Sequence, residues 1–350
     1  MAECHLTFIV PGSIDTRTGG YEYDRRMIDG LRMLGWTIAI RELGAGFPNP
    51  TRSELDAADS TLAERPDGSL VLIDGLAFGA MSEQARRHAS RLRLVPIVHA
   101  LLADEVGIDA ETVAARWRSE ARALSVVDRL IAVGDSLIPR LAALGVDRGR
   151  VVVAKPGTDR APLARGSGDG PLHFVTVATL NPGKGHAVLM EALANLGDRR
   201  WRLTCAGSMT RHPATAARVR SMVRDFHLED RVALAGEQRS DAIAALYDRA
   251  DLFVLPTLAE THPLSVLEAL ARGLPIVSTT VGAIPDLVCP ADSPAGLLVP
   301  PADPAALAGA LARVLDDGRL RSRLAEGARQ VREALPTWHD ASRQLSAALT

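Results

Sequence analysis

The sequence is poor in several features that would indicate a particular class of protein. Its 350 residues include only three cysteines, Cys4, Cys205 and Cys289, which are widely spaced and odd in number. Such a set makes neither a disulfide framework nor a zinc cluster, and it favours a reducing cytosol and small, buried thiol side chains. The net charge of −2 gives no electrostatic reason to expect nucleic acid as a partner.

The sequence also shows no pattern typical of a segment that directs a protein to or through a membrane. The first residues, MAECHLTFIVPGS, lack a cationic stretch followed by a long apolar core and a cleavage site, so we expect no signal peptide. No uncharged apolar run approaches the roughly 20 residues that a transmembrane helix needs. We therefore expect a soluble cytoplasmic protein, for which the inner membrane surface is at most a peripheral site.

Short apolar runs alternate with amphipathic segments along the whole chain. The predicted strands are HLTFIV, TIAIREL, SLVLIDG, LRLVPIVHA, RLIAVG and RVVVAKPG in the first half, and LHFVTVATL, WRLTCAG, RVALAG, LFVLP and PIVST in the second. This alternation predicts an α/β fold of two doubly wound halves, each with a parallel sheet covered by helices on both faces.

A change of composition separates the two halves. Residues 159–171, DRAPLARGSGDGP, are rich in glycine and proline and show no periodicity, which is typical of an interdomain linker. We predict an N-terminal domain at residues 1–160, a second domain at residues 161–334, and a C-terminal helix at residues 335–350 that crosses back to the first domain.

Glycine-rich or polar loops follow the predicted strands, among them GSIDTRTGG, NPGKG, AGSMTR, AGEQR and TLAETHP. In open parallel sheets, ligands bind outside the carboxyl ends of the strands. If two such sheets face each other, these loops line one cleft. The convergence of five loops is a stronger indication of a binding site than any single motif.

Residues 252–286, LFVLPTLAETHPLSVLEALARGLPIVSTTVGAIPD, combine a buried strand, a polar loop and a helix that ends at Gly273. The free N–H groups and the positive dipole at the start of this helix favour an anion. Glu260 in the loop and Glu268 on the helix suit hydrogen bonds to the vicinal diols of ribose or a hexose. Their spacing does not support a hydrolase carboxylate pair, and no His/Asp cluster indicates a metal. The alternative is two solvated charges.

Three other positions are candidates on chemical grounds. Gly19 and Gly20 end a loop before a helix, where backbone N–H groups can approach a phosphate, although a plain turn fits them equally well. Lys184 stands at a helix N-terminus, where its charge opposes the dipole, so it indicates an anion; the alternative is an exposed, solubilising lysine. His99 ends a strand and could bond a sugar hydroxyl, but alone it is more typical of a structural histidine.

The sequence lacks the motifs of two classes of nucleotide-binding protein. The loop around Lys184 has neither the Walker spacing nor the Ser/Thr that follows the lysine of a P-loop. No Gly-x-Gly-x-x-Gly follows the first strand of either half, which argues against a dinucleotide-dependent oxidoreductase.

A family resemblance joins these motifs. Glu260-THPLSVL-Glu268, followed by ALARGLPIVST and VGAIPD, resembles the Glu-x7-Glu signature of retaining, family-4-type glycosyltransferases, the group 1 glycosyl transferases with the GT-B fold. VATLNPGKGH, ADLFVLP, GLLVPPADPAALA and the Gly19–Gly20 loop fall in the family order, so the resemblance covers essentially the whole chain. It implies two facing Rossmann-like domains with the cleft between them, and a nucleotide-sugar bound mainly by the second.

The resemblance also implies a role for each matching position. Glu268 would hold the ribose hydroxyls, Glu260 the donor-sugar hydroxyls, and Lys184 the diphosphate, while His99 would lie near the donor sugar. The implied catalytic residues are His99, Lys184 and Glu260. The implied donor-binding residues are Gly19, Gly20, Thr179, Lys184, Glu237, Gln238, His262, Pro263, Leu264, Ser265 and Glu268. Thr179 replaces an arginine that many members carry, which leaves less positive charge for the diphosphate.

The activity implied by the resemblance is the retaining transfer of a hexose from a UDP- or GDP-sugar to an acceptor hydroxyl. The resemblance implies no cofactor, metal or protein nucleophile. The acceptor stays open between a small molecule, a glycan and a lipid-linked species. Because of Thr179, the alternative from another class is a non-catalytic protein of the same fold that only binds nucleotide-sugars.

Overall fold

The computed structural model describes residues 4–290 and 294–350. It consists of two compact units. Unit 1 comprises the described residues up to Gly157 together with Pro336–Thr350, and unit 2 comprises those of Thr158–Leu335.

Unit 1 contains a parallel sheet of six strands whose apolar residues are buried by helices on both faces. The strands are β1 (Cys4–Pro11), β2 (Trp36–Leu43), β3 (Leu70–Asp74), β4 (Arg93–Val98), β5 (Leu130–Ala132) and β6 (Val151–Val153). The helices are α1 (Gly19–Met33), α2 (Arg52–Ala63), α3 (Gly75–Phe78), α4 (Ser82–His88), α5 (Ala110–Ser125) and α6 (Ile138–Ala143), with 3-10 turns at Leu102–Asp104, Asp135–Leu137 and Arg148–Arg150. The strand order is β2-β1-β3-β4-β5-β6, and Phe8 is in register with Ile40 and Leu72.

Unit 2 repeats this architecture. Its strands are β7 (Leu172–Val177), β8 (Trp201–Ala206), β9 (Val232–Gly236), β10 (Leu252–Leu255), β11 (Ile276–Thr279) and β12 (Gly296–Val299), in the order β12-β11-β10-β7-β8-β9. Its helices are α7 (His186–Ala194), α8 (Pro213–Asp225), α9 (Ser240–Asp248), α10 (Leu264–Leu270), α11 (Ile284–Val288), α12 (Pro304–Asp316) and α13 (Gly318–Ala334), with a 3-10 turn at Pro182–Lys184. Adjacent Phe174 and Val175 of β7 belong to different core clusters, because successive side chains of a strand point to opposite faces.

The last helix, α14 (Trp338–Leu349), belongs to unit 1 and packs on α1. A Cβ at Gly30 of α1 would lie 1.8 Å from Ser342 Oγ of α14, so the missing side chain permits the close approach of the two helices. Trp36 Nε1 donates a hydrogen bond of 2.9 Å to Ser346 Oγ. Of the helices that the structure describes, none combines the length and the apolar character that crossing a membrane demands.

The strand order locates the point in each sheet where a ligand is expected. In unit 1 the chain moves outward from β1 to β2 and then returns to the other side of β1 with β3. In unit 2 it moves from β7 to β8 and β9, and then returns to the other side of β7 with β10. Loops at the carboxyl ends of such a strand pair diverge and leave a crevice. A ligand is therefore expected beside the loops after β1 and β3 and beside those after β7 and β10.

Three local expectations differ from the structure, and one strand was not expected. Gly19 and Gly20 form the start of α1 rather than a loop, because Thr18 takes the N-cap position. α10 ends at Leu270, and Gly273, at φ +69°, lies in the following turn. The strand β12 was not predicted from the sequence. The expected linker, residues 159–171, is tied to unit 2, since the N–H groups of Arg165 and Gly166 donate to the carbonyl of Asp248.

Candidate functional site

The loop after β7 presents Lys184 in a rigid turn. Asn181 accepts a hydrogen bond of 3.1 Å from the Lys184 N–H through its side-chain oxygen, and this bond closes the 3-10 turn. Gly185 then takes φ +67°, a left-handed conformation that favours glycine, and α7 begins at the next residue. Because a Cβ at Gly185 would lie 1.9 Å from the carbonyl oxygen of Pro256, the turn also packs directly on the loop after β10.

The loop after β10, residues 256–263, carries Glu260 and is fixed from two sides. Leu258 N–H and the Thr257 hydroxyl both donate to the Gly183 carbonyl, at 2.7 and 2.9 Å. On the other side, a Cβ at Gly282 would lie 2.0 Å from the Glu260 carbonyl oxygen. The backbone that carries Glu260 is therefore preorganised by its neighbours and needs no ligand to order it.

Lys184 and Glu260 meet at the switch point of the unit 2 sheet. The Lys184 Nζ donates to Glu260 Oε2 at 2.5 Å, and the two side chains are 26% and 12% exposed. Partial burial strengthens such a pair, because less water screens the charges. The chain contains only two lysines. The second, Lys155, lies in unit 1 and pairs with Asp135 at 2.6 Å.

Glu268, on α10, is held by a residue that the sequence did not single out. The Tyr247 hydroxyl lies 3.0 Å from Glu268 Oε2 and 3.1 Å from the Ser265 carbonyl. Tyr247 is fully buried, and the guanidinium of Arg272 lies 4.7 Å from its ring. Burial, and then the charge of Glu268, raise the pKa of Tyr247 well above its usual value, so the hydroxyl keeps its proton and donates a hydrogen bond to the carboxylate.

The remaining predicted donor residues of unit 2 lie on the loops that follow its strands. Thr179 comes after β7, where its carbonyl accepts from Asn181 N–H at 2.8 Å. Glu237 and Gln238 come after β9, and Glu237 lies 3.5 Å from Arg211. Of the rest, His262 is half-buried in the loop after β10, Pro263 caps α10, and Leu264 and Ser265 form the first turn of α10.

In unit 1 the structure brings His99 together with two aspartates. His99 Nε2 lies 3.0 Å from Asp24 Oδ1 and 3.7 Å from Asp74 Oδ2. Both carboxylates are buried, whereas the His99 side chain is 20% exposed. Gly20 at the start of α1 packs against the ring, since a Cβ there would lie 3.7 Å from His99 Cγ. We call Asp24, Asp74 and His99 the acidic-histidine cluster.

The charges within this cluster control each other. Burial acts to lower the pKa of His99, but the charge and hydrogen bond of Asp24 and the charge of Asp74 raise it to about 9. Burial and the charge of Asp24 raise the pKa of Asp74 to about 7, although His99 acts in the opposite direction. At neutral pH the ring is therefore an imidazolium that neutralises buried carboxylate charge. The three donor atoms lie within 4.8 Å of one another, which is close enough to share a cation.

We expect the free energy of unfolding to fall as the pH rises from 6.5 to 9. Because the pKa of His99 is higher in the folded chain than in the unfolded chain, its contribution to stability is complete below pH 6.5 and is lost as the pH passes about 9. One such group gives a slope of at most about 1.4 kcal/mol per pH unit. Denaturant unfolding at several pH values should show a shallower slope for Asp24→Asn; an unchanged slope would contradict this assignment.

Sequence reasoning missed Asp24, Asp74 and Tyr247, and only two of them left a signal. Asp24 occupies the buried face of α1 between Tyr23 and Met27, where an ionisable residue needs a partner. Asp74 ends a strand whose other residues are all buried and apolar, at the edge of the sheet where ligands bind. Tyr247 has no such signal, because a tyrosine on the apolar face of a helix is an ordinary core residue.

The chain is similar to known proteins in both its sequence and its fold. Residues 161–331 match the family model described as Glycosyl transferases group 1. D-inositol 3-phosphate glycosyltransferase from Corynebacterium glutamicum (strain R) is 35% identical over 186 residues, which cover 51% of this chain and 44% of that protein. The chain spans about half the length of the first curated relatives it matches.

Solved structures resemble the chain over almost its whole length. Sucrose-phosphate synthase from Thermosynechococcus elongatus gives a TM-score of 0.82 at 21% identity, covering 99% of this chain and 98% of that one. Anabaena Alr3699/HepE in complex with UDP-glucose gives a TM-score of 0.78 at 16% identity, covering 98% and 99%. At these identities the likeness concerns the fold, and it confirms the predicted GT-B fold.

Proposed function

Residues 161–331 of this chain form a domain of the group 1 glycosyl transferases, and from this premise we propose that the protein transfers a hexose from a nucleoside-diphosphate sugar to an acceptor hydroxyl with retention of configuration. The Lys184–Glu260 pair at the switch point of unit 2 is the observation that carries the proposal. An ammonium group suits a diphosphate, and a carboxylate suits sugar hydroxyls. The two groups are adjacent, as the diphosphate and the sugar are in the donor.

In the proposed reaction, the bond between the anomeric carbon and the diphosphate oxygen breaks, and the leaving group takes the bonding electrons. Lys184 and the N–H groups at the start of α10 stabilise the charge that develops on it. The acceptor oxygen bonds to the anomeric carbon on the face that the leaving group occupied, and its proton passes to a diphosphate oxygen. Because Lys184 supplies the positive charge, the proposed step needs neither a metal nor a protein nucleophile.

Glu260 has two proposed functions in this cycle. In the structure its Oε2 pairs with Lys184, so the carboxylate keeps the ammonium group in place before a donor arrives. When a donor binds, its diphosphate accepts hydrogen bonds from the Lys184 ammonium group. Hydroxyls of the sugar then donate to Glu260 in place of the hydrogen bonds that the ammonium group gives up. The position of His99 near the donor sugar, which the family resemblance implies, stays a prediction.

Glu268 is the proposed ribose ligand, and Tyr247 keeps it oriented. We expect Tyr247→Phe to raise the KM for the donor by about 3- to 10-fold, the equivalent of one hydrogen bond of about 1 kcal/mol, and to leave kcat largely unchanged. The same variant should discriminate less against a 2′-deoxyribose donor, because Glu268 then no longer holds a fixed geometry. Steady-state kinetics with both donors checks this. An unchanged KM together with unchanged discrimination would exclude Tyr247 from donor binding.

Incubation with UDP- and GDP-hexoses, with and without candidate acceptors, tests the proposal and separates it from its rival. UDP-glucose is the first donor to try, since the neighbouring HepE structure contains it. A phosphorylated polyol belongs in the acceptor panel, because relatives are named for inositol phosphate. Release of nucleoside diphosphate that depends on an acceptor supports the transferase. A donor that raises the unfolding temperature but is never consumed supports a non-catalytic binding protein, to which Thr179 points.

A further inference from the structure

The acidic-histidine cluster fixes both the orientation and the charge of His99. Its Nε2 faces two carboxylate oxygens, of which Asp24 Oδ1 is nearest at 3.0 Å. An ionised carboxylate only accepts hydrogen bonds, so Nε2 carries the hydrogen in its bond to an ionised Asp24. Asp74 is itself held, because its Oδ1 accepts from the Leu76 N–H at 2.6 Å. The edge of the Tyr23 ring packs against the imidazole, with 5.2 Å between the ring centroids. The ring is therefore anchored on one side by α1 and on the other by the end of β3.

The opposite nitrogen of the ring has a different environment. Within residues 4–290 and 294–350, Nδ1 has no hydrogen-bond partner, and the side chain as a whole keeps a fifth of its surface exposed. Gly20 packs beside the ring without a side chain, and a Cβ there would lie 3.7 Å from Cγ and 4.0 Å from Nδ1. Because the carboxylates occupy Nε2, Nδ1 is the ring nitrogen that remains for a ligand.

We propose that Asp24 and Asp74 are positioning residues, which hold His99 by Nε2 as an imidazolium so that Nδ1–H is presented as a fixed cationic donor to the ligand. This assignment rests on the proposed glycosyl transfer, and the ligand is an oxygen atom of a substrate of that reaction. It makes His99 a hydrogen-bond donor and excludes it as a general base, because a base must be neutral before it accepts a proton. The two carboxylates are buried, and a buried carboxylate charge needs a positive partner, which the imidazolium supplies.

The charge balance agrees with this assignment. The groups that face His99 from the surrounding elements are Asp24 and Tyr23 on α1 and Asp74 at the end of β3. Asp24 is fully buried, and its Oδ2 has no hydrogen-bond partner among the described residues, so the His99 ring is the cationic group that contacts this side chain. The pKa of His99, about 9, leaves the ring protonated at neutral pH.

Asp24→Asn is the decisive variant, because the amide keeps the shape of the carboxylate but not its charge. Replacing the carboxylate behind a histidine by an amide favours the wrong tautomer, as the serine protease triad illustrates. The matched control is Asp59→Asn. Asp59 Oδ1 lies 3.0 Å from Nε2 of His88, the same distance as in the cluster. Among the described residues, no second carboxylate forms an ion pair with the His88 ring. Asp74→Asn is the second variant, in case Asp24→Asn folds poorly.

The first measurement is a 15N-histidine NMR titration of the full chain, with His99 assigned from His99→Gln. We expect both nitrogens of His99 to be protonated at pH 7.5, and its midpoint to fall by about one pH unit or more in Asp24→Asn and in Asp74→Asn but not in Asp59→Asn. A neutral His99 at pH 7.5 in the wild type, or an unchanged midpoint in both cluster variants, would overturn the proposal.

The second measurement is the pH profile of kcat/KM between pH 6 and 9. The wild-type profile should stay flat where His99 is protonated, and the Asp24→Asn profile should decline from a lower pH. A profile that rises as His99 loses its proton would make it a base and overturn the assignment. If no nucleotide-sugar is turned over, the proposed function fails while the NMR titration still tests the cluster.

Zn²⁺ and Mn²⁺ added at equimolar concentration complete the test. We expect neither ion to shift the His99 signals or to raise the unfolding temperature of the wild type by more than it does for Asp24→Asn. A selective effect on the wild type would show that the cluster is a cation site, which is incompatible with an imidazolium at its centre.

Discussion

Lys184→Ala should lower kcat/KM for the nucleotide-sugar by about 100-fold or more, with most of the loss in kcat. The reason is that the ammonium group acts on charge that grows as the diphosphate leaves, so it contributes more in the transition state than in the ground state. Because Thr179 stands where many members of the family carry an arginine, we expect Lys184 to take a larger share of this task. Steady-state kinetics with a fixed acceptor measures the effect.

The pairing with Glu260 complicates this experiment and also provides its control. Removing Lys184 leaves a carboxylate that is only 12% exposed without its ammonium partner, and this costs stability as well as activity. Lys184→Ala/Glu260→Gln removes the unpaired charge and should recover stability but not kcat. Lys155→Ala changes the other lysine, which lies in unit 1 and pairs with Asp135, and should leave kcat within about two-fold. Normal turnover by Lys184→Ala would contradict the assignment.

Gly185→Ala should destabilise unit 2 by about 2–5 kcal/mol, because two costs add. The left-handed backbone at φ +67° costs an alanine about 1–2 kcal/mol. The new Cβ would lie 1.9 Å from the Pro256 carbonyl oxygen, so the Lys184 turn and the Glu260 loop must move apart at a typical overpacking cost of about 1–3 kcal/mol. Since both loops carry the proposed donor ligands, donor affinity should fall together with stability. Denaturant unfolding, and donor titration by thermal shift, measure the two effects.

Gly197→Ala separates the two costs. Gly197 has φ +60° but no atom within 4 Å of its would-be Cβ, so it carries the backbone cost without the clash. We expect a loss of about 1–2 kcal/mol and unchanged donor affinity for Gly197→Ala. Equal losses in the two variants would mean that contact between the Lys184 turn and the Pro256 loop does not hold the site together.

The sequence predicted the larger part of this fold because its signals are local and strong. Eleven of the twelve strands in the part of the chain that the structure describes were expected, and each was an apolar run bounded by turn residues. The exception, β12, is the stretch GLLV, which entered the sequence analysis only as part of the family segment GLLVPPADPAALA. Gly19 and Gly20 were expected to end a loop, because paired glycines let backbone N–H groups approach a phosphate closely, whereas in the structure they begin α1, which packs on β2 and α14.

The candidate site was predictable only where a motif spans a few residues. Lys184 and Glu260 stand out because each lies in a loop that follows a strand, and Glu268 stands out because it lies eight residues after Glu260 on the next helix. That Lys184 and Glu260 pair directly, 76 residues apart, follows from the adjacency of β7 and β10, which no local pattern encodes. The same holds for His99 and Asp24, which are 75 residues apart. Single site residues could therefore be identified from the sequence, whereas the residues that pair with them could be identified only from the order of the strands in the sheets.

The most direct test of the central claim is to follow a 13C-labelled UDP- or GDP-hexose by NMR in the presence of the protein and the acceptor panel. The account predicts that nucleoside diphosphate and glycosylated acceptor appear in equal amounts, that the product keeps the anomeric configuration of the donor, and that Lys184→Ala abolishes both signals. An inverted product, or a donor that binds and is never consumed with any acceptor, would contradict it.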